Sequence, residues 1–189
     1  MDAKPQGEPF FPTMNPDSMG LRETHMCTSA VLQIRRLNPT GGGLVLGPRP
    51  GRKSKAALVG MGLTHVCTLL GEHESPEAVG VIAEELGCSW VWLPIAGGNL
   101  ETLQALDVKS MVTQLAEAIS GTAIPRVYLH CSAGIHRTGF FASVLLRLVT
   151  EDIANIPRVL AILRPVTAEQ LGPDRLAVAI RLANALLSK

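Results

Sequence analysis

Hydrophobic positions along the chain change their period from segment to segment. Residues 1 to about 28 mix Pro, Gly and polar residues without any period, as expected of an arm attached to a packed domain. Beyond it, AVLQIRRL (30–37) and GLVLG (43–47) are short apolar runs read as strands, and LTHVCTLL (63–70) reads as a buried strand with β-branched character. SPEAVGVIAEELG (75–87) predicts a helix with Ser75 as N-cap, Pro76 at its first position and Gly87 at its stop. CSWVWLPI (88–95) predicts another strand, which opens into a loop at Gly97, Gly98 and Asn99. Val108, Met111, Val112, Leu115 and Ile119 recur near the helical period and predict a helix over 107–120 with one face on a sheet.

The second half continues the alternation. PRVYLH (125–130) predicts a short central strand, and RTGFFASVLLRLVT (137–150) a helix apolar enough to be buried between layers. IPRVLAILRP and PDRLAVAIRLANALLSK predict two more helices, with Pro157 and Pro173 near their starts. Strands alternating with helices call for an α/β fold: a mostly parallel, twisted sheet of about four to five strands flanked by helices. The expected organisation is an arm over 1–28 and one domain over 29–189, with function-bearing loops at the carboxyl ends of the strands.

Composition narrows the class. With 47% apolar and 17% charged residues, 17 basic against 16 acidic, the chain is globular and lacks the charge of a polybasic nucleic-acid binder. Nucleic acid is therefore not an expected partner. Arg49, Arg52, Lys53 and Lys55 form a local basic cluster, read as a solvated loop or as an attractor of anionic substrates. Cys27, Cys67, Cys88 and Cys131 lack paired Cys-x-x-Cys spacing, and His25, His65 and His73 lack ligand spacing, so neither a metal nor a cofactor is expected. Without an apolar run of about 18 residues no membrane span is expected. The acidic, proline-bearing start does not read as a secretory signal, and a cytoplasmic location with reduced thiols follows as the expectation.

The chemistry concentrates in YLHCSAGIHRTGFF (128–141), read as strand, tight loop and helix. A loop running from Cys131 through Ser132, Ala133, Gly134, Ile135 and His136 to Arg137 can turn backbone N–H groups inward. With a helix N-terminus behind them they make a cavity for a phosphoryl dianion. Gly134 would permit the backbone angles and close approach such a loop needs, and Gly139 would let the helix sit tightly on the sheet. Inward amides, a helix terminus and a nearby cation favour the Cys131 thiolate, the competent nucleophile. Arg137 can fork two phosphoryl oxygens, Thr138 can donate its hydroxyl to the sulfur, and His130 can orient the loop through hydrogen bonds.

HCSAGIHRTG resembles the His-Cys-x5-Arg-Ser/Thr-Gly signature of the protein tyrosine phosphatase superfamily. LVLGPRPG followed by GLTHVCTLL is similar to the start of its compact dual-specificity branch. The resemblance runs from about residue 43 to 175. It implies a metal-independent phosphatase that forms a phosphocysteine on Cys131 and acts on phosphotyrosine, with phosphoserine or phosphothreonine as further substrates. The partner would be a phosphorylated protein or a small phosphoester. LRPVTAEQLG (163–172) resembles the family segment in which a Gln positions the hydrolytic water, making Gln170 a candidate with Thr167 beside it; a solvated helix-start Gln is the bland alternative.

One departure matters. WLPIAGGNLET resembles a Pro-Ile-x-Asp-Gly pattern in which the Asp protonates the leaving oxygen, yet Gly97 occupies that place and no Asp lies between Pro94 and Leu106. Glu101 and Asp107 are candidate substitutes, each also readable as a helix-start residue favoured by the dipole, and a site without an acid is the third alternative. An acid-free site would suit phosphoanhydrides, so a phosphatase for RNA 5′-triphosphate, other anhydrides or phosphoinositides is an alternative function. A phosphate-binding module that has lost turnover is another.

Overall fold

The computed structural model describes residues 28–38 and 41–188. The expected arm over 1–28, including Cys27 and His25, thus lies outside the described residues except for Thr28, which is already helical. The next segment corrects the strand expected over AVLQIRRL: residues 28–35 form a helix, α1. Ala30, Val31, Ile34 and Leu37 are buried while Leu32 is 56% exposed. The buried set follows the i, i+4, i+7 spacing of one helical face, a period that an eight-residue apolar run hides.

Four strands form the sheet: β1 (Leu44–Gly47), β2 (His65–Thr68), β3 (Ser89–Trp92) and β4 (Val127–His130). All pairings are parallel and the order is β1-β4-β2-β3, with Leu129 opposite both Leu46 and Cys67. The sequence-derived α/β class and the interior place of 127–130 both hold. Strand residues alternate between two cores, as a period of two requires. Val66 and Tyr128 pack with Leu58, Val79 and Ala83 on one face, against α2 (Lys55–Val59) and α3 (Glu77–Glu85). Cys67, Leu129 and Val127 join the larger core on the other face.

That larger core is built by α1, α5 (Val108–Ser120), α6 (His136–Val149), α7 (Ile156–Leu163), α8 (Pro165–Leu171) and α9 (Pro173–Leu187). All five apolar positions read for α5 are buried, and Asp107 caps it by accepting from the Ser110 amide at 3.0 Å. The α6 helix is buried nearly all round, with Phe140, Phe141, Val144 and Leu145 at its centre. Three short helices escaped the sequence reading: α2, which begins at Lys55 of the basic cluster, α4 (Leu100–Gln104), capped by Asn99 accepting from the Thr102 amide at 2.8 Å, and α8, which starts at Pro165 where α7 was expected to end. The expected Ser75 cap is also corrected. α3 begins one residue later, with Pro76 at its N-cap, and Ser75 takes a left-handed conformation at φ 51°.

Candidate active site

Residue 131 follows β4 directly, and the chain turns through 132–135 into α6, placing the loop at the carboxyl end of an interior strand. Its shape is fixed by what its carbonyls do. The Cys131 carbonyl meets Nδ1 of His130 at 3.2 Å, and the Ser132 carbonyl accepts from the Arg49 amide at 2.9 Å. The Arg164 guanidinium donates to the carbonyls of Ala133 at 3.2 Å and Gly134 at 2.5 Å, and the Thr167 hydroxyl adds a bond to the latter at 2.7 Å. Four successive carbonyls are thereby held outward, which aims the intervening N–H groups at the loop's centre. Gly134 makes the turn possible: its φ is +70°, and a Cβ there would lie 2.1 Å from the Gly47 carbonyl oxygen. Gly139 serves a different contact from the one expected. A Cβ on it would strike Thr167 at 2.9 Å and Leu171 at 3.2 Å, so it permits close packing of α6 on α8 rather than on the sheet.

His130 belongs to a relay that crosses three strands. Trp90 Nε1 donates to the Thr68 hydroxyl at 2.9 Å, Thr68 Oγ1 lies 2.8 Å from His130 Nε2, and His130 Nδ1 reaches the Cys131 carbonyl. A neutral imidazole protonated on Nδ1 satisfies every member, an assignment made from the network. Burial, opposed by the bond to the Cys131 carbonyl, lowers its pKa to about 4 and keeps the ring neutral.

The sulfur of Cys131 is buried, and burial alone would push its pKa up. The Thr138 hydroxyl, the amides of Thr138 and Ile135 and the Arg137 charge together outweigh that and bring it below its ordinary value. The Thr138 hydroxyl is fully buried and makes no hydrogen bond of good geometry with any described residue. It is poised beside the sulfur, where a thiolate would complete the bond.

Arg137 is oriented by a residue that the sequence reading missed. Both terminal nitrogens fork onto the Glu74 carboxylate, Nη1 to Oε2 and Nη2 to Oε1, the latter at 2.8 Å, and Nη1 also donates to the Ile95 carbonyl at 2.9 Å. Ser132 Oγ donates to Glu74 Oε1 at 2.7 Å and the Gly71 amide to Oε2 at 2.8 Å. The Arg137 bonds, backed by those from Ser132 and Gly71, hold the Glu74 carboxyl at about 2 despite its partial burial. Arg49 in turn forks the carbonyls of Glu74 and Ser75, both at 2.7 Å, and braces the left-handed turn at Ser75. No spacing rule links Glu74 to Arg137, 63 residues away. The only signal was a charged GEHE turn at the carboxyl end of β2.

Among the other sequence candidates, Ser132, Ala133, Gly134, Ile135 and His136 all lie in the loop or at its junction with α6. Glu101 is exposed in the first turn of α4, and Asp107 is exposed and engaged as the α5 cap. Gln170 is exposed on α8, the helix whose Thr167 is buried against the loop. Of the basic cluster, Arg49 braces the loop and Lys55 pairs with Glu85 at 2.9 Å. Cys67 is a fully buried thiol in the sheet, Cys88 donates to the Leu63 carbonyl at 3.4 Å, and both are free, as is Cys131.

Residues 42–167, more than half of the chain, match the family model described as the Swiss Army Knife protein, DSP-PTPase phosphatase domain. The chain belongs to this phosphatase family. Comparison with curated proteins finds no significant match. Among solved structures the phosphatase domain is similar to PTPMT1, with a TM-score of 0.55 and 20% identity over 77% of this chain and 92% of that one. It is also similar to the core catalytic domain of the PP-IP phosphatase SIW14 from S. cerevisiae, with a TM-score of 0.52 and 16% identity over 73% and 79% of the two chains. A third is the kinase associated phosphatase KAP, with a TM-score of 0.52 and 15% identity over 77% and 87%. At these identities the likeness is one of fold, a dual-specificity-type α/β domain. Among the described residues, no helix is long and apolar enough to cross a membrane and no group of three His, Cys, Asp or Glu could hold a metal ion.

Proposed function

We propose that this domain hydrolyses phosphate esters by covalent catalysis on Cys131, with aryl phosphates such as phosphotyrosine as the leading substrate class. The observation that carries the reading is the loop itself: four carbonyls turned outward, a thiol with a lowered pKa at its floor and a forked guanidinium at its wall. In the first step the thiolate attacks phosphorus while the bond to the leaving oxygen breaks. Arg137 and the inward amides hold the equatorial oxygens as the phosphorus becomes trigonal bipyramidal. Water then attacks the phosphocysteine, the P–S bond breaks, and the Thr138 hydroxyl stabilises the departing thiolate. Gln170 is proposed to position that water from the exposed side of α8.

Hydrolysis of a small aryl phosphate in the presence of a chelator, by wild type and Cys131→Ser, tests the proposal. Turnover and an acid-trappable phosphoenzyme are expected in the wild type and loss of both in the variant. Turnover that survives the substitution would end the reading.

The Gly97 backbone where the resemblance places an Asp favours a second reading, in which the leaving group needs little protonation. Phosphoanhydrides and phosphoinositides fall within it: one PTPMT1 structure is a complex with PI(5)P, and SIW14 is a PP-IP phosphatase. Rates on matched aryl ester, alkyl ester and anhydride substrates separate the two readings, since an acid-free site favours the anhydride strongly.

A further inference from the structure

We propose that the imidazole of His136 protonates the leaving oxygen, doing the work of the absent loop carboxylate. The proposal rests on the covalent mechanism above and names the group that would complete it.

His136 opens α6 between the loop and Arg137, and it is exposed. Its neighbour is Gly98, next to the Gly97 where the resemblance places the acid. A Cβ added at Gly98 would lie 3.0 Å from the His136 Cβ and 3.7 Å from Nδ1. The imidazole therefore stands against the backbone of the very loop that would otherwise carry the acid, in space that any side chain at 98 would have to share. The two departures fit together: the loop gives up its side chains where the helix supplies a ring.

The opposing backbone is held in place. Arg175 Nε donates to the Gly98 carbonyl at 2.8 Å and its Nη1 to the Leu171 carbonyl at 3.3 Å, while Asn99 caps α4 immediately after. The imidazole makes no hydrogen bond with the described residues, so both nitrogens are available to a bound ester. Two competing acids are otherwise occupied, and the third, Glu101, is exposed in the first turn of α4 and is tested below. Glu74, held at about 2 by Arg137, is an anion at neutral pH and has no proton to give. Asp107 is spent on the Ser110 amide. Charged and titratable groups on the surrounding elements are Cys131 in the loop, Arg137 beside it on α6, Glu101 opening α4, Glu169 on α8, and Asp174 and Arg175 opening α9.

The proton balance closes without any further reactant. The imidazolium gives its proton to the leaving oxygen as the P–O bond breaks and the P–S bond forms. In the second half, the neutral ring takes a proton from the attacking water as the P–S bond breaks, which restores imidazolium, thiolate and free phosphate.

The test is a leaving-group series. Wild type, His136→Asn and Glu101→Gln are assayed on aryl phosphates whose phenols span a range of acidity and on one alkyl phosphate, with vanadate inhibition as a check on the cradle. For His136→Asn, kcat/KM should fall about 100-fold on the poorest leaving groups and change little on the most acidic phenol, consistent with general-acid contributions. Vanadate binding should persist. An equal loss across the series, a loss of vanadate binding, or steepening in Glu101→Gln with none in His136→Asn would each overturn the assignment. Those outcomes leave the nucleophile standing, whereas turnover by Cys131→Ser would strike the covalent reading beneath it.

Discussion

Replacing Glu74 with Gln removes the charge that aims Arg137 while keeping the shape. The carboxyl falls from its ordinary 4.5 to about 2 on folding. At about 1.4 kcal/mol per pH unit, that is worth at most about 3.5 kcal/mol of folding free energy. The carboxylate side chain is 28% exposed, so solvent screens part of the pairing and about 1 to 2 kcal/mol is the better expectation. Arg137, 10% exposed, keeps the Ile95 carbonyl and is not left bare. A depressed carboxyl contributes fully above its unfolded pKa and loses that contribution as pH falls through its folded one. The stability gap between wild type and Glu74→Gln should thus be widest near neutrality and close between about pH 4.5 and 2. Urea denaturation across that range measures it. A gap that stays constant down to pH 2.5, or none at pH 7, would refute the electrostatic account.

Two further outcomes follow from the loop. Thr138→Val should raise the Cys131 thiol pKa, read as an alkaline shift in the pH profile of iodoacetamide alkylation, with slower alkylation at acidic pH. Gly134→Ala should lose vanadate binding and at least ~2 kcal/mol of stability in thermal or urea unfolding. It would combine a left-handed conformation with a Cβ 2.1 Å from the Gly47 carbonyl.

The sheet and the Cys131–Thr138 loop were legible because their signals are local. GLVLG, LTHVCTLL, SWVW and VYLH carry the apolar runs of β1 to β4, and the Cys131 to Thr138 string encodes strand end, turn and helix start within a few residues. The α1 helix was misread because AVLQIRRL is too short for its period to be decisive, and only packing on the larger core shows which residues face inward. Ser75 looked like a cap because Ser-Pro-Glu is a helix-start pattern. In the structure the residue is bent into a left-handed turn by a bracing Arg49 that lies 26 positions upstream. Glu74 and Arg164 stayed silent for the same reason, and Thr167 was named only as a neighbour of Gln170: each reaches the loop through a contact 30 or more residues away, and nothing in their own neighbourhood announces it.

The distant tie between α8 and the turn at Gly134 also sets an order of assembly. A nascent chain that has already delivered the whole HCSAGIHRTG string still lacks the two donors that pull the Gly134 carbonyl outward, because Arg164 and Thr167 are made later. The oxyanion receptacle is therefore a late event in maturation, and a fragment ending just after α6 would display the diagnostic sequence without the concavity that gives it meaning.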